Sequence, residues 1–172
     1  MKEVVVHSDG ACRGNPGPGA WAVVLTFGNV RKELSGGVPA TTNNRMELQA
    51  AIEGLASLKE PCHVEFFTDS KYVQNGISSW VYGWKRNGWL TKARQPVKNA
   101  DLWRALDAAA SRHRIKWQWL KGHAGHAENE RCDVLANAAI DAIQREHTRE
   151  QLRAALQQFT AANSPEPARE LF

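Results

Sequence analysis

Four carboxylates stand as candidates for one site: Asp9, Glu47, Asp69 and Asp133. Asp9 closes the run Val4-Val5-Val6-His7-Ser8 and precedes Gly10, while Asp69 closes Val64-Glu65-Phe66-Phe67-Thr68 and precedes Ser70. Each run is rich in β-branched or aromatic residues and too short for a helix. Each therefore reads as a strand with a carboxylate at its carboxyl end, where sites in sheet proteins with helical cover lie. The Val4-Val5-Val6 triplet reads further as a strand buried on both faces. If the two strands are neighbours, the two aspartates share one acidic centre. Like charges about 4 Å apart cost on the order of 4 kcal/mol at an effective dielectric near 20, so four converging carboxylates require cations. All-oxygen ligands select hard cations, and a few carboxylates completed by a substrate phosphate suit Mg²⁺, with Mn²⁺ as a substitute. Two such ions roughly 3.5 to 4 Å apart can activate water on one side of a phosphorus and steady the leaving oxygen on the other.

Each carboxylate also has an ordinary use. Glu47 lies three residues after Asn44, the spacing of a capping box. Asp133 near a helix start satisfies the helix dipole, and an Asp at a strand end forms turns. His123, between Gly122 and Ala124-Gly125, is either an exposed loop histidine or an imidazole with a pKa near ~6.5 free to move protons. Spacing alone leaves these pairs of readings open.

The elements that must position these residues follow from pattern. The stretch Cys12-Arg13-Gly14-Asn15-Pro16-Gly17-Pro18-Gly19 is too rich in Gly and Pro for regular structure and forms a tight loop beside Asp9. Residues 21–27 and 30–34 flank Gly28-Asn29 as a hairpin, giving three antiparallel strands in all. A helix starting at Asn44 carries an apolar stripe of Leu48, Ala51, Ile52, Leu55 and Leu58. Small residues at Ala50, Ala51 and Gly54 would let it approach the sheet closely enough for Glu47 to reach the aspartates. Residues 70–86 read as helix in one or two pieces broken near Gly76, and residues 87–99 as a basic loop. A helix over 101–112 buries Leu102, Trp103, Leu106, Ala109 and Ala110. Residues 115–119 alternate as a strand with one solvated face and Trp117 and Trp119 inward. A last helix spans 127–143 with Leu135, Ala138, Ala139 and Ala142 inward. Thr148 and Gln151 form a second capping box ahead of Leu152, Leu156 and Phe159, and the chain then runs into Ser164-Pro165-Glu166-Pro167, a composition of disorder.

Composition narrows the class. At 172 residues, 42% hydrophobic and 23% charged, the chain has the size and balance of one globular domain with an appendage. It has no apolar run of about 18 residues, and Met1-Lys2-Glu3 leads straight into a strand without a signal-peptide core, so a cytoplasmic protein is expected. Three cysteines without a CxxC pair argue against a disulfide framework and a structural zinc site. The net charge of +4 is uneven: residues 70–100 hold six bases and no acid, leaving −2 for the rest. A basic region beside an acidic centre suggests a polyanion held by one and handled by the other. Trp80, Trp84, Lys85 and Arg86 interleave rings and cations as a surface tracking a phosphate backbone would, although one of the two tryptophans reads equally well as core. Asn15 and Thr42-Asn43-Asn44 offer neutral donors and acceptors near the acidic centre, suited to a minor groove with 2′-hydroxyls.

In its motifs the chain resembles the bacterial type-1 ribonucleases H. The resemblance spans residues 4–143 and rests on Ser8-Asp9-Gly10-Ala11-Cys12, Gly14-Asn15-Pro16-Gly17-Pro18-Gly19, Thr42-Asn43-Asn44-Arg45-Met46-Glu47-Leu48, Thr68-Asp69-Ser70, Lys121-Gly122-His123 and Asn129-Glu130-Arg131-Cys132-Asp133. It implies an α/β domain of ribonuclease H-like fold over residues 1–143, a five-stranded mixed sheet flanked by helices, with residues 144–172 as a tail outside the domain. It further implies an endoribonuclease that hydrolyses the RNA strand of RNA–DNA hybrids, leaving 3′-hydroxyl and 5′-phosphate ends; nothing in the sequence argues against a monomer. By motif, Asp9, Glu47, Asp69 and Asp133 resemble the metal-binding carboxylates, and His123 the histidine that assists proton transfer or product release. Cys12, Asn15, Asn43 and Asn44 resemble the RNA-side contacts, Thr42 and Asn99 a DNA-phosphate pocket, Trp80, Trp84, Lys85 and Arg86 the basic protrusion, and Trp103 the wall of the DNA-side channel. Two positions depart from the pattern. Ala40 stands where many relatives have a basic residue, and Lys71 replaces a glutamine on the RNA side.

Overall fold

A computed structural model describes residues 1–121 and 126–163. The sheet runs β3-β2-β1-β4-β5, with β1 (Lys2–Cys12) in its centre, β2 (Gly17–Phe27) and β3 (Val30–Thr41) on one side, and β4 (Cys62–Thr68) and β5 (Arg114–Trp119) on the other. The β1–β2 and β2–β3 pairs are antiparallel, joined by short turns, and Phe27 pairs with Val30 across the Gly28-Asn29 hairpin. Gly28 sits there at φ +54°, a left-handed conformation that costs glycine little. The β1–β4 and β4–β5 pairs are parallel and need crossovers. The first crossover is α1 (Asn43–Ala56). The second combines α2 (Lys71–Asn75), a π-helical turn over Gly76–Trp80, α3 (Val81–Arg86) and α4 (Ala100–Ser111).

Register explains the acidic centre. Val4 pairs with Val64 and His7 with Phe67, the last pair of the β1–β4 ladder. Asp9 and Asp69 each lie two residues beyond that pair, on adjacent parallel strands, so both leave the sheet at the same end.

Two apolar layers cover the sheet. On one face Leu48, Ala51 and Leu55 of α1 and Trp103 and Leu106 of α4 pack on Val4, Val6, Val23, Val64 and Phe66. On the other, α5 (Ala127–Glu146) lays Cys132, Ala136 and Ile140 on Ala20, Ala22 and Val24. Alanine on both surfaces brings this helix close. The α5 stripe differs from the expected one: Asn129, Cys132, Ala136 and Ile140 are buried, Leu135 and Ala139 flank them, and Ala138 is exposed. The helix is rotated because its partner is the alanine track of β2, and Cys132 Sγ reaches the His7 carbonyl at 3.4 Å. Nor is β1 buried on both faces throughout. Val5 is half-exposed and lines an open groove with Thr26, Glu65 and Lys116, at the end of the sheet away from Asp9.

Helix starts hold one further correction. Thr42, extended at φ −122°, is the N-cap of α1, and its hydroxyl accepts the Arg45 N–H at 3.3 Å. Asn44 is already inside the helix, and Glu47 is not a capping acid. The second capping box forms as expected: Thr148 Oγ1 accepts the Gln151 N–H at 3.1 Å and Gln151 Oε1 accepts the Thr148 N–H at 2.8 Å. It opens α6 (Arg149–Ala162), which packs against β3 and β2. The Ser164-Pro165-Glu166-Pro167 segment lies outside the described residues.

Candidate active site

Asp9, Glu47 and Asp69 each bring one carboxylate oxygen within 4.8 Å of the other two. Asp9 is 2% exposed and its Oδ1 accepts the N–H of Gly10 at 3.0 Å. Glu47 reaches it because Gly10 has no side chain: a Cβ there would stand 2.4 Å from the Glu47 nitrogen and 2.5 Å from the Met46 carbonyl carbon. The first turn of α1 thus rests on the backbone of β1. Gly54 plays the same part at the other end of the helix, where a Cβ would come 3.1 Å from Val23 and 3.2 Å from Val6. Asp69 is placed by the end of β4 and the turn that follows, where Ser70 caps α2 by accepting the Val73 N–H at 3.2 Å.

Asp133, on the first turns of α5, lines the same cavity of about 560 Å³ but stands outside the group of three. The four expected carboxylates therefore face one space, three of them clustered and the fourth one step back. His123 lies outside the described residues.

The cluster is electrostatically unfavourable on its own. Burial, and then the charges of Asp9 and Asp69, push the Glu47 carboxyl well above the usual glutamate range. Glu47 is 6% exposed, and its Oε2 is buried without a hydrogen-bond partner among the described residues. A buried oxygen left so is costly, and a cation with oxygen preference would satisfy it and remove the repulsion together. The donor set fits a hard divalent metal.

Around this centre the cavity is lined by Cys12, Asn43, Asn44, Lys71 and Tyr72. Asn15 is tied in behind them, its Oδ1 accepting the Asn43 N–H at 2.9 Å, which clips the Gly/Pro loop to the start of α1. The Cys12 thiol lies 3.4 Å from the Thr41 carbonyl and 3.5 Å from that of Gly17, and burial pushes its pKa up, so it is a neutral thiol. Asn99, left-handed at φ 59°, gives its amide N–H to Tyr72 Oη at 3.0 Å and accepts from Arg45 at 3.2 Å. Arg45 in turn forms a two-pronged pair with Asp101. Thr42 Oγ1 accepts at the helix cap, which leaves its O–H able to donate.

The aromatic residues divide. Trp80 is 39% exposed, and Trp84 is half-buried against it at a ring separation of 5.8 Å. Lys85 pairs with Asp107 at 3.1 Å and Arg86 is exposed. Trp103 has no exposed surface at all, which corrects its assignment to a channel wall. It lies beneath that surface, giving its ring N–H to Tyr72 Oη at 3.0 Å and packing on Trp84. A Cβ at Gly76 would fall 1.9 Å from its ring, which accounts for a glycine at the start of the π-helical turn. Tyr72, Arg45, Arg13 and Asn137 are the site residues that sequence reasoning passed over. Only Tyr72, three residues after Asp69 at a helix start, left a signal that could have found it.

The RNase H family model matches residues 1–141. The chain belongs to the RNase H family. The ribonuclease H of Rhodopseudomonas palustris (strain TIE-1) is 64% identical over 140 residues, 81% of this chain and 90% of that protein. The crystal structure of LC9-RNase H1, a type 1 RNase H with the type 2 active-site motif, matches with a TM-score of 0.75 at 31% identity, over 90% of this chain and 85% of that one. LC11-RNase H1 in complex with RNA/DNA hybrid shares the fold, with a TM-score of 0.53 at 23% identity over 81% of this chain and 97% of that one. RNase H enzymes cleave RNA in RNA–DNA hybrids with the help of metal ions, so this member is a hydrolase and an endoribonuclease. Among the described residues, no helix is long and apolar enough to cross a membrane.

Proposed function

We propose that this chain hydrolyses the RNA strand of RNA–DNA hybrids with two Mg²⁺ ions held by Asp9, Glu47, Asp69 and Asp133, Mn²⁺ serving as a substitute. The observation that carries the reading is the cluster of three carboxylate oxygens within 4.8 Å, one of them on a buried glutamate with an unsatisfied atom. When bound, the ions supply an acidified water on one side of the phosphorus and charge neutralisation on the other. The water oxygen bonds to phosphorus, the P–O3′ bond breaks, and O3′ leaves with a proton, giving 3′-hydroxyl and 5′-phosphate ends. His123 is assigned the proton movement or product release that accompanies this step.

The remaining residues bind and orient the duplex. Cys12, Asn15, Asn43, Asn44 and Lys71 surround the cavity mouth or brace it, and are assigned the RNA strand and its 2′-hydroxyls. Thr42 and Asn99 are assigned a phosphate of the DNA strand, and Trp80, Trp84, Lys85 and Arg86 the backbone beyond it. Hybrid selectivity then comes from requiring 2′-hydroxyls on one strand and a deformable deoxy strand on the other. The cysteines are all free, which fits the reducing cytoplasm, and a monomer suffices for the site.

The test uses four end-labelled duplexes of one sequence: RNA–DNA, DNA–DNA, RNA–RNA, and a duplex with a single ribonucleotide. Each is incubated with Mg²⁺, Mn²⁺ or chelator, with Asp9→Asn run alongside. Metal-dependent cutting confined to the RNA strand of the full hybrid, and lost in the variant, is expected. Tight hybrid binding without cleavage in either metal would overturn the proposal.

A further inference from the structure

Asp133 is the carboxylate outside the cluster, and what holds it there is a chain of polar contacts running from the Gly/Pro loop across α5. Arg13, in that loop, gives Nη1 to Asp141 Oδ1 and Gln144 Oε1, both at 2.7 Å, and Nη2 to Asn137 Oδ1 at 3.3 Å and the Asn137 carbonyl at 3.4 Å. Asn137 in turn gives Nδ2 to Asp133 Oδ1 at 3.3 Å and to the Asp133 carbonyl at 2.9 Å. The direction of this relay is fixed by chemistry. A guanidinium has only donors, so the amide atom facing it must be the oxygen, and the N–H side is left to face Asp133. Arg13 is itself held, since its N–H donates to the Pro18 carbonyl at 2.9 Å.

We infer that Asn137, oriented by Arg13, is a positioning residue for Asp133. It ties one carboxylate oxygen and so leaves the other to be presented to a metal ion. A metal ligand held by a neighbouring hydrogen bond keeps its rotamer and needs no reordering when the ion binds. Asn137 also lines the cavity beside Asp133, one helical turn further along α5, where residues four apart meet on one face. This inference rests on the proposed metal role of Asp133.

Two variants separate positioning from mere bracing. Asn137→Ala removes the whole relay. Asn137→Asp keeps and strengthens the contact with Arg13, so the loop stays tied to α5, but it has no N–H for Asp133 and sets a like charge against it. Mg²⁺ binding to the full-length protein is measured by calorimetry without substrate, and hybrid cleavage is measured at saturating Mg²⁺. For Asn137→Ala, a Mg²⁺ dissociation constant raised at least threefold is expected, with kcat lowered at least fivefold and the hybrid KM within twofold of wild type. Asn137→Asp is expected to keep the wild-type Tm and still lose kcat at least fivefold. A wild-type Mg²⁺ isotherm for Asn137→Ala, or wild-type kcat for Asn137→Asp, overturns the inference. Should Asn137→Ala fail to fold, the Asn137→Asp rate decides alone. If the wild-type protein itself neither binds Mg²⁺ nor cleaves the hybrid, it is the proposed function that has failed.

Discussion

Replacing Asp9 by Asn should make the protein more stable while abolishing its activity, and the size of the gain follows from the site's geometry. Two ionised carboxylates within 4.8 Å repel by about 3 kcal/mol at an effective dielectric near 20. Because burial and the neighbouring charges disfavour ionisation of Glu47, the repulsion that Asp9→Asn relieves in the absence of divalent ions is chiefly that between Asp9 and Asp69. Asn at position 9 keeps an oxygen for the Gly10 N–H, removes the charge, and adds an N–H beside the buried carboxyl of Glu47. A gain of about 1 to 3 kcal/mol is expected in chelator, or a rise in Tm of roughly 3 to 10 °C for a chain of this length. The assay is thermal and urea unfolding of both proteins, with chelator and with Mg²⁺. Mg²⁺ should close the gap, because an ion that binds only the folded wild type stabilises it by about 2.7 kcal/mol at a concentration one hundred times its dissociation constant. The pH dependence has a definite sign. Between the ordinary glutamate pKa and the raised folded value, the folded state carries the extra proton, so metal-free wild type loses stability as pH rises. The advantage of Asp9→Asn in chelator should accordingly be larger at pH 8 than at pH 5. A variant less stable than wild type in chelator would refute the reasoning, since the cluster would then be a net stabilising network.

His113 joins α1 to β4: its Nδ1 accepts the Cys62 N–H at 3.1 Å, so Nε2 carries the proton given to the Leu55 carbonyl at 3.2 Å. Burial lowers its pKa, so the unfolded chain takes up a proton first and stability should fall as pH drops below about 6.5; urea midpoints should show a smaller fall in His113→Leu. Gly10→Ala should drive α1 off β1, costing upwards of about 2 kcal/mol by urea unfolding and lowering kcat, while Gly83→Ala, inside α3 and meeting nothing within 4 Å, should leave kcat unchanged and raise stability by up to about 1 kcal/mol. Hybrid affinity should fall with log salt at a slope on the order of −4 to −5, and Lys85→Ala or Arg86→Ala should each reduce that slope by about 1 without altering kcat. Removal of residues 148–172 should lower Tm by a few degrees through loss of the α6 contacts with β3 and β2, and leave cleavage of the hybrid intact. Loss of cleavage in that truncation would place the domain boundary beyond residue 147.

What was legible in the sequence was whatever depended on short range. The runs ending in Asp9 and Asp69 announced strands, and Gly28-Asn29 a hairpin. Thr148 and Gln151 announced α6, because a capping box spans four residues. The parallel pairing of β1 with β4 had to be assumed, since it joins residues about 60 positions apart and nothing local encodes it. For Glu47 the spacing leaves a capping acid and a site carboxylate equally open, because it serves both purposes; Thr42 takes the cap, and the bare backbone of Gly10 is what lets Glu47 reach the sheet. The α5 stripe, by contrast, was misjudged. Leu135 looked the natural centre of an apolar face, but the helix turns to whatever its partner offers, and β2 offers alanines to Cys132 and Ala136. For Trp103 the pattern and the resemblance pull apart: the apolar stripe of residues 101–112 places it inward, as observed, and Gly76 makes the hole that its ring fills.

These outcomes share a physical origin that bears on how the site works. The stability cost of the carboxylate cluster is met by its surroundings, through contacts both local and remote. Gly10 removes a side chain so that two backbones can touch, and Ser70 and Thr42 cap helices whose first turns face the cavity. Arg13, in a loop more than 100 residues away in sequence, reaches Asp133 through Asn137. The charged groups are thus held by neutral or remote ones. A cation brought to Asp9, Glu47 and Asp69 meets oxygens already close together, and the repulsion it relieves contributes to its binding. Asp133, held apart, adds a ligand without adding to that repulsion beforehand, so a second ion's affinity is set more by the orientation of one carboxylate than by crowding. Weakening the relay should then reduce metal affinity with little change in stability, the opposite of what Asp9→Asn does, and the two variants together separate the two halves of the site.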